Sequence, residues 1–186
     1  MISPIDGPFL THGGFSGHGI ALSGEERRTQ RSAGVSDIPV EVWQLARDED
    51  GRDVVLLRDT QGRVLPIIID VCTAAAIWVA LTPDLAKPYV RRPWSHDLMQ
   101  AMLERLGAKV ERGVIDGYMH SAFLATLHLR YRGEELVVDA RPSDTIALLL
   151  RESAPLFVND EVMNEEGFAV GIDEEGDQPD FGEGLV

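Results

Sequence analysis

Asp139, Arg141, Ser143 and Asp144 stand within six residues in the stretch LVVDARPSDTIALLLRE, where an apolar strand gives way to an apolar helix. Acids in this arrangement can take an oxygen-seeking cation. The guanidinium and the free N–H groups of a helix start can take an oxyanion. On an extended chain Asp139 and Arg141 share a face. Pro142 fits the first helical turn, where its missing N–H costs nothing. Ser143 and Asp144 then fall among the unpaired N–H groups of that turn. The plainest reading is structural: Ser143 or Asp144 caps the helix and Arg141 neutralises Asp139. Capping alone does not call for two Asp and an Arg at one joint, so the cluster is also a candidate site.

His96 and Asp97 open a second helix, WSHDLMQAMLERLG. Ser95 is the expected N-cap, and Asp97 suits the positive end of the dipole. Leu98, Met102, Leu103 and Leu106 form its apolar stripe, and Gly107 its stop. His120 and His128 fall on strands and carry no assigned role. Lys87, Arg91 and Arg92 precede the His96 helix and read first as a solvated loop, second as cations that steer a polyanion. His12 and His18 in HGGFSGHG read as two lone histidines in an arm.

These residues need a scaffold. IPVEVWQLA, VVLLR and VLPIII read as three strands joined by Gly-bearing turns at DEDG and DTQG. Pro66 removes a ladder donor and points to an edge or bulge. VCTAAAIWVAL follows as a helix. After the His96 helix come AKVERGVIDGYM, the strictly alternating SAFLATLHLRYRG, and EELVVDA, then the PSDTIALLLRE helix, a short strand PLFV and a short helix DEVMNEE. The order predicts an α+β fold with mostly antiparallel sheet in two β-β-β-α-like halves. Residues 1–36 read as a flexible arm, 37–167 as the folded domain, and 168–186 as an acidic disordered tail.

The net charge of −14 is unevenly spread: Phe157 to Val186 holds ten acids and no Lys or Arg, while Ile38 to Leu156 holds 14 basic and 17 acidic residues. The centre is near neutral and shows no broad basic footprint of the kind that marks many nucleic-acid binders. No apolar run reaches the roughly 18 residues of a membrane span, and the N-terminus lacks a secretory pattern. The single cysteine, Cys72, excludes an internal disulfide and reads as a small core residue. A cytoplasmic location follows as the expectation. Zinc-ligand, phosphate-loop and serine-elbow patterns are absent from the sequence.

VDARPSDTIALLL and RPWSHDLMQAMLERLGAKVERGVI resemble two signatures of the bifunctional nuclease domain family, and LPIIIDVCTAAAIWVAL resembles a third, from which Asp70 and Thr73 depart. The resemblance runs from about Ile38 to Gly167. It implies a cytosolic, homo-oligomeric domain, at least a dimer, with nuclease activity on DNA and RNA. Carried onto the matching motifs, it makes His96, Asp97, Arg141 and Ser143 the catalytic candidates, with Asp97, Asp139 and Asp144 as ligands for Mg²⁺ or Mn²⁺. Phosphodiester cleavage would use the ion and its carboxylates, His96 as base and Arg141 as phosphate clamp. The rival expectation is a non-catalytic interaction or regulatory module of the same fold, whose arm and tail bind another protein. It is favoured by the acidic tail and by Asp70 and Thr73.

Overall fold

The structure, a computed structural model, describes residues 36–86 and 92–169. The expected arm through residue 35 with His12 and His18, the steering candidates Lys87 and Arg91, and the tail from residue 170 lie outside the described residues.

The first half is a meander, β1 (Asp37–Arg47), β2 (Asp53–Asp59) and β3 (Arg63–Ile68), which feeds helix α1 (Val71–Leu81) and the single turn α2 (Pro83–Ala86). Helix α3 (Ser95–Leu106) leads into the second half, β4 (Lys109–Met119), β5 (Ala122–Tyr131), β6 (Glu134–Ala140) and helix α4 (Pro142–Glu152). Strand β7 (Leu156–Asn159), helix α5 (Asp160–Glu166) and strand β8 (Phe168–Ala169) close the chain.

The expected α+β class and mostly antiparallel pairing hold. The two halves do not form separate sheets. Strand β7 inserts between them, parallel to β4 and antiparallel to β1, so that one sheet runs β6-β5-β4-β7-β1-β2-β3-β8. Pro66 sits where expected: among the described residues β3 has only the two-residue β8 beyond it, paired at Arg63 and Val64, so no described ladder runs along the outer side at Pro66. That short pairing also takes the first two residues of the stretch expected to be tail.

One face of the sheet carries the main core. Val55 and Leu57 of β2, Ala125, Leu127 and Leu129 of β5, Ile77 of α1 and Ile146 to Leu149 of α4 belong to one buried cluster. Each fully buried aliphatic chain such as Ile77 or Ile115 contributes about 1.5–3 kcal/mol relative to exposure. The alternation in β5 separates this face from a polar one, where Thr126 donates to Asp116, His128 bonds Glu135 and Arg130 pairs Glu111. Helix α4 lies close on β4: a Cβ added to Gly113 would come within 2.5 Å of Thr145 and 2.6 Å of Leu149. That glycine sets how deep the start of α4 can settle.

Helix α3 departs from expectation. Leu98, Met102 and Leu106 are each more than half exposed, and of the four-residue stripe only Leu103 packs on the core. The inward face is set by His96, Gln100 and Leu103, four and three residues apart: His96 bonds Asp144, and Gln100 donates to the Arg151 carbonyl at 2.9 Å. Polar anchoring to α4 therefore overrides the apolar stripe. The first cap is also shifted. Trp94 is the N-cap and Ser95 the first helical residue, while the Asp97 carboxylate reaches back to the Trp94 N–H at 2.7 Å.

The β4–β5 hairpin turns on His120 and Ser121, both left-handed at φ 51° and 62°. Two-residue turns of this hand suit Asn-Gly, and other residues pay for a positive φ. Replacing Ser121 by Gly should therefore stabilise the protein by about 0.5–1 kcal/mol, read as a higher urea midpoint at unchanged slope. An unchanged or lower midpoint would show that the serine contributes a contact that offsets its strain.

Candidate functional site

Three helix starts meet at one ionic cluster. Arg141 is the N-cap residue of α4, and Asp144 lies in that helix's first turn. The Arg141 guanidinium grips Asp144 with a fork, Nε to Oδ2 at 2.7 Å and Nη2 to Oδ1 at 3.2 Å. Its third nitrogen, Nη1, donates to Asp70 Oδ2 at 3.3 Å. Asp70 is the N-cap of α1, where it accepts from the Thr73 N–H at 3.0 Å and the Thr73 hydroxyl at 2.7 Å. From the start of α3, His96 Nε2 lies 3.0 Å from Asp144 Oδ1. These groups floor an open cleft of about 690 Å³ whose walls include Val71, Cys72, Trp94 and Met99.

The electrostatics follow from these contacts. Burial pushes the Asp144 carboxyl up, but the Arg141 and His96 bonds outweigh it and hold it below its ordinary value. Asp70 is held low by the Thr73 hydroxyl and N–H, with Arg141 adding to them. Arg141 is raised by the same Asp144 bond, so it stays a cation. Its side chain is 65% exposed, which leaves the guanidinium open to a ligand from the cleft.

The other expected residues are placed differently. Asp97 turns to the buried Arg151, whose Nε donates to Asp97 Oδ1 at 2.5 Å while its Nη1 donates to the Ala76 and Ala147 carbonyls. Asp139 is exposed on the edge strand β6, opposite Thr126. Ser143 is buried in the first turn of α4 and lines a second cleft on the far side of Arg141. The structure thus brings His96, Arg141 and Asp144 together and does not gather Asp97, Asp139 and Asp144. Among the described residues no group of three or more His, Cys, Asp or Glu is placed to hold a metal ion. The expected donor set does not fit one, because Asp97 is committed to Arg151 and the oxygens of Asp144 to Arg141 and His96.

Two members of the cluster, Asp70 and Thr73, were legible only as departures from a family pattern. Their spacing, Asp-x-x-Thr before a helix, is itself a capping signal. Cys72 is exposed in the cleft wall, not buried as expected. In a helix as uniformly apolar as VCTAAAIWVAL, periodicity cannot tell which side faces the core.

The fold and cluster define a single-sheet α+β domain with an Arg–carboxylate–His site where three helices begin. The sequence model of the bifunctional nuclease domain matches residues 55–171, and the chain belongs to that family. It is 35% identical over 118 residues to an uncharacterised protein of Mycobacterium tuberculosis, a match covering 63% of this chain and 68% of that protein. Over 120 residues it is 27% identical to bifunctional nuclease 2 of Arabidopsis thaliana, covering 63% of this chain and 35% of the plant protein. Bifunctional nuclease 1 of Oryza sativa subsp. japonica is 28% identical over 120 residues with the same coverage. The matched segment is thus about a third of the plant proteins' length. Membership supports a nuclease-like function at the level of the family.

Asp97 tests the division between structure and site. Arg151 is only 6% exposed, and Asp97→Ala leaves its charge buried without its carboxylate. The expected cost is about 3 kcal/mol by urea unfolding. A loss under about 0.5 kcal/mol would return Asp97 to the candidate ligands. The pH response has a definite sign. Asp70, Asp97 and Asp144 all lie below the ordinary 3.8, so their stabilisation is complete above that value and is lost as pH falls through their folded values. Thermal midpoints should hold from neutrality to about pH 4 and then drop, less steeply in Asp97→Ala.

Proposed function

We propose that this domain hydrolyses phosphodiester bonds of nucleic acid, DNA or RNA, in the cytoplasm, at the cleft floored by Arg141, Asp144 and His96. The observation that carries the reading is the exposed Arg141 guanidinium at the junction of three helix N-termini. Its N–H groups beyond those bonded to Asp144 and Asp70, with the converging helix dipoles, favour a phosphodiester oxyanion. Asp144, accepting from His96 Nε2, would fix the ring and its tautomer, leaving Nδ1 as the lone-pair nitrogen that takes a proton from an attacking water. Asp144 is the positioning residue, His96 the base, Arg141 the clamp. Ser143, buried next to Arg141 in the first turn of α4, stays a catalytic candidate through the family motif, with no step assigned to it.

A divalent ion, Mg²⁺ or Mn²⁺, remains part of the proposal through the family alone. The donor set expected for it does not fit, so no step is assigned to it. The rival, a non-catalytic module, draws support from how completely Arg141, Thr73 and His96 occupy the Asp70 and Asp144 oxygens. A cluster so satisfied can serve as a structural knot.

The test uses purified wild type, His96→Ala and Arg141→Ala with single-stranded DNA and RNA, with Mg²⁺ or Mn²⁺ and then with chelator. The enzyme reading expects cleavage by wild type and a loss of at least about 100-fold in each folded variant. Equal cleavage by all three identifies a contaminant. No cleavage by folded wild type in either metal supports the module. The chelator arm decides metal dependence.

We also propose that the chain is at least a homodimer, joined through the outer face of α3. Leu98, Met102 and Leu106 are exposed at successive four-residue steps. A two-fold axis at Met102 would set Leu98 of each copy against Leu106 of the other. Light scattering at micromolar concentration should give a dimer mass or more, and Met102→Lys should reduce it to the monomer. A monomeric wild type would overturn the assembly.

A further inference from the structure

A second cleft, of about 800 Å³, lies on the other side of Arg141 and Asp70, which line both. Its apolar lining comes from Pro66 to Ile69 and from Tyr118 and Phe123 of the β4–β5 hairpin. Tyr118 and Phe123 are direct cross-strand partners near the His120–Ser121 turn. Their ring centroids are 4.7 Å apart at 46°, and Tyr118 is 42% exposed. The short turn and the pairing fix the ring where it stands. Polar groups on the lining are Asp48, Asp70 and Glu166 besides Arg141, Ser121 and Ser143.

This composition discriminates between the parts of a nucleotide. Asp48 is held by Arg52 and Asp70 by Arg141, and with Glu166 beside them the negative charge still exceeds the positive, which opposes entry of a phosphate. A neutral base suits the site: its face can lie on an exposed aromatic ring, and its N–H groups, such as the ring N–H of thymine, can donate to a carboxylate. The phosphate belongs on the ridge, at Arg141. The first cleft repeats the pattern, with partly exposed Trp94 in its wall.

Resting on the nuclease reading, we propose that the Tyr118–Phe123 pair is a nucleobase subsite that holds the base next to the phosphate gripped by Arg141. The strand that fits is single, because a base stacked inside a duplex cannot reach the ring.

The experiment measures fluorescence anisotropy of the full chain with short phosphorothioate oligothymidylate and with an abasic strand of the same length and linkage. Wild type is expected to bind the thymidylate strand more tightly. Tyr118→Leu should weaken that binding roughly tenfold and leave the abasic strand unchanged, while Tyr118→Trp keeps the preference. If wild type binds both strands equally, or Tyr118→Leu weakens neither or both alike, the subsite is overturned. The nuclease reading survives those outcomes provided that Arg141→Ala abolishes binding. If wild type binds neither strand, subsite and nuclease reading fall together. Should Tyr118→Leu fail to fold, Tyr118→Trp decides: a retained preference supports the subsite, and its loss in a folded protein overturns it.

Discussion

The bond from Arg141 to both Asp144 and Asp70 is the constraint on which the site depends. Helices α1, α3 and α4 all begin at the same cleft, so three partial positive ends face one another. Unopposed, they would repel. Each is answered by a carboxylate of its own: Asp70 at the cap of α1, Asp97 in the first turn of α3, Asp144 in the first turn of α4. Two of those carboxylates then lie near each other, and Arg141 joins them. The third is drawn away by Arg151. The arrangement balances its charges without help from outside, and it leaves one guanidinium exposed on the cleft side.

That balance separates two kinds of acid that look alike in the sequence. Asp97 and Asp144 occupy the same position in their helices, three residues after the cap. Asp97 answers a buried arginine and so holds α3 to α4. Asp144 answers an exposed one, within reach of a histidine. The neighbour decides the role: a buried cation fixes its carboxylate, whereas an exposed cation can be shared with a ligand. The same logic explains the reversed face of α3. Burying His96 and Gln100 against α4 satisfies polar groups that would be costly to leave unpaired. The leucine and methionine stripe is then turned outward.

Much of the scaffold was legible. Strand alternation in β5, the turns after β1 and β2, Gly107 as a stop and Pro142 as a start all follow local rules that the structure obeys. The site was legible in part. Arg141, Asp144 and His96 stand in recognisable motifs, and they do meet. What the sequence could not give was partnership. Asp70 lies 71 residues before Arg141 and His96 lies 48 before Asp144, and no periodicity links residues so far apart. The single sheet was hidden for the same reason. Two β-β-β-α halves read as two units until β7, a four-residue strand, pairs with both.

Arg151 shows the limit most clearly. In PSDTIALLLRE it closes the helix, where a cation complements the dipole and would ordinarily be solvated. In the fold it is buried, bonded to Asp97 and to carbonyls of α1 and α4, with no partner for Nη2 among the described residues. The cost of burying this arginine is offset by the ion pair to Asp97 and the bonds to two carbonyls. Here it joins α3 to α1 and α4, and thereby holds His96 at the cleft. The positioning of the candidate base thus rests on an ion pair to which it does not belong, through a residue that local sequence rules assign to solvent.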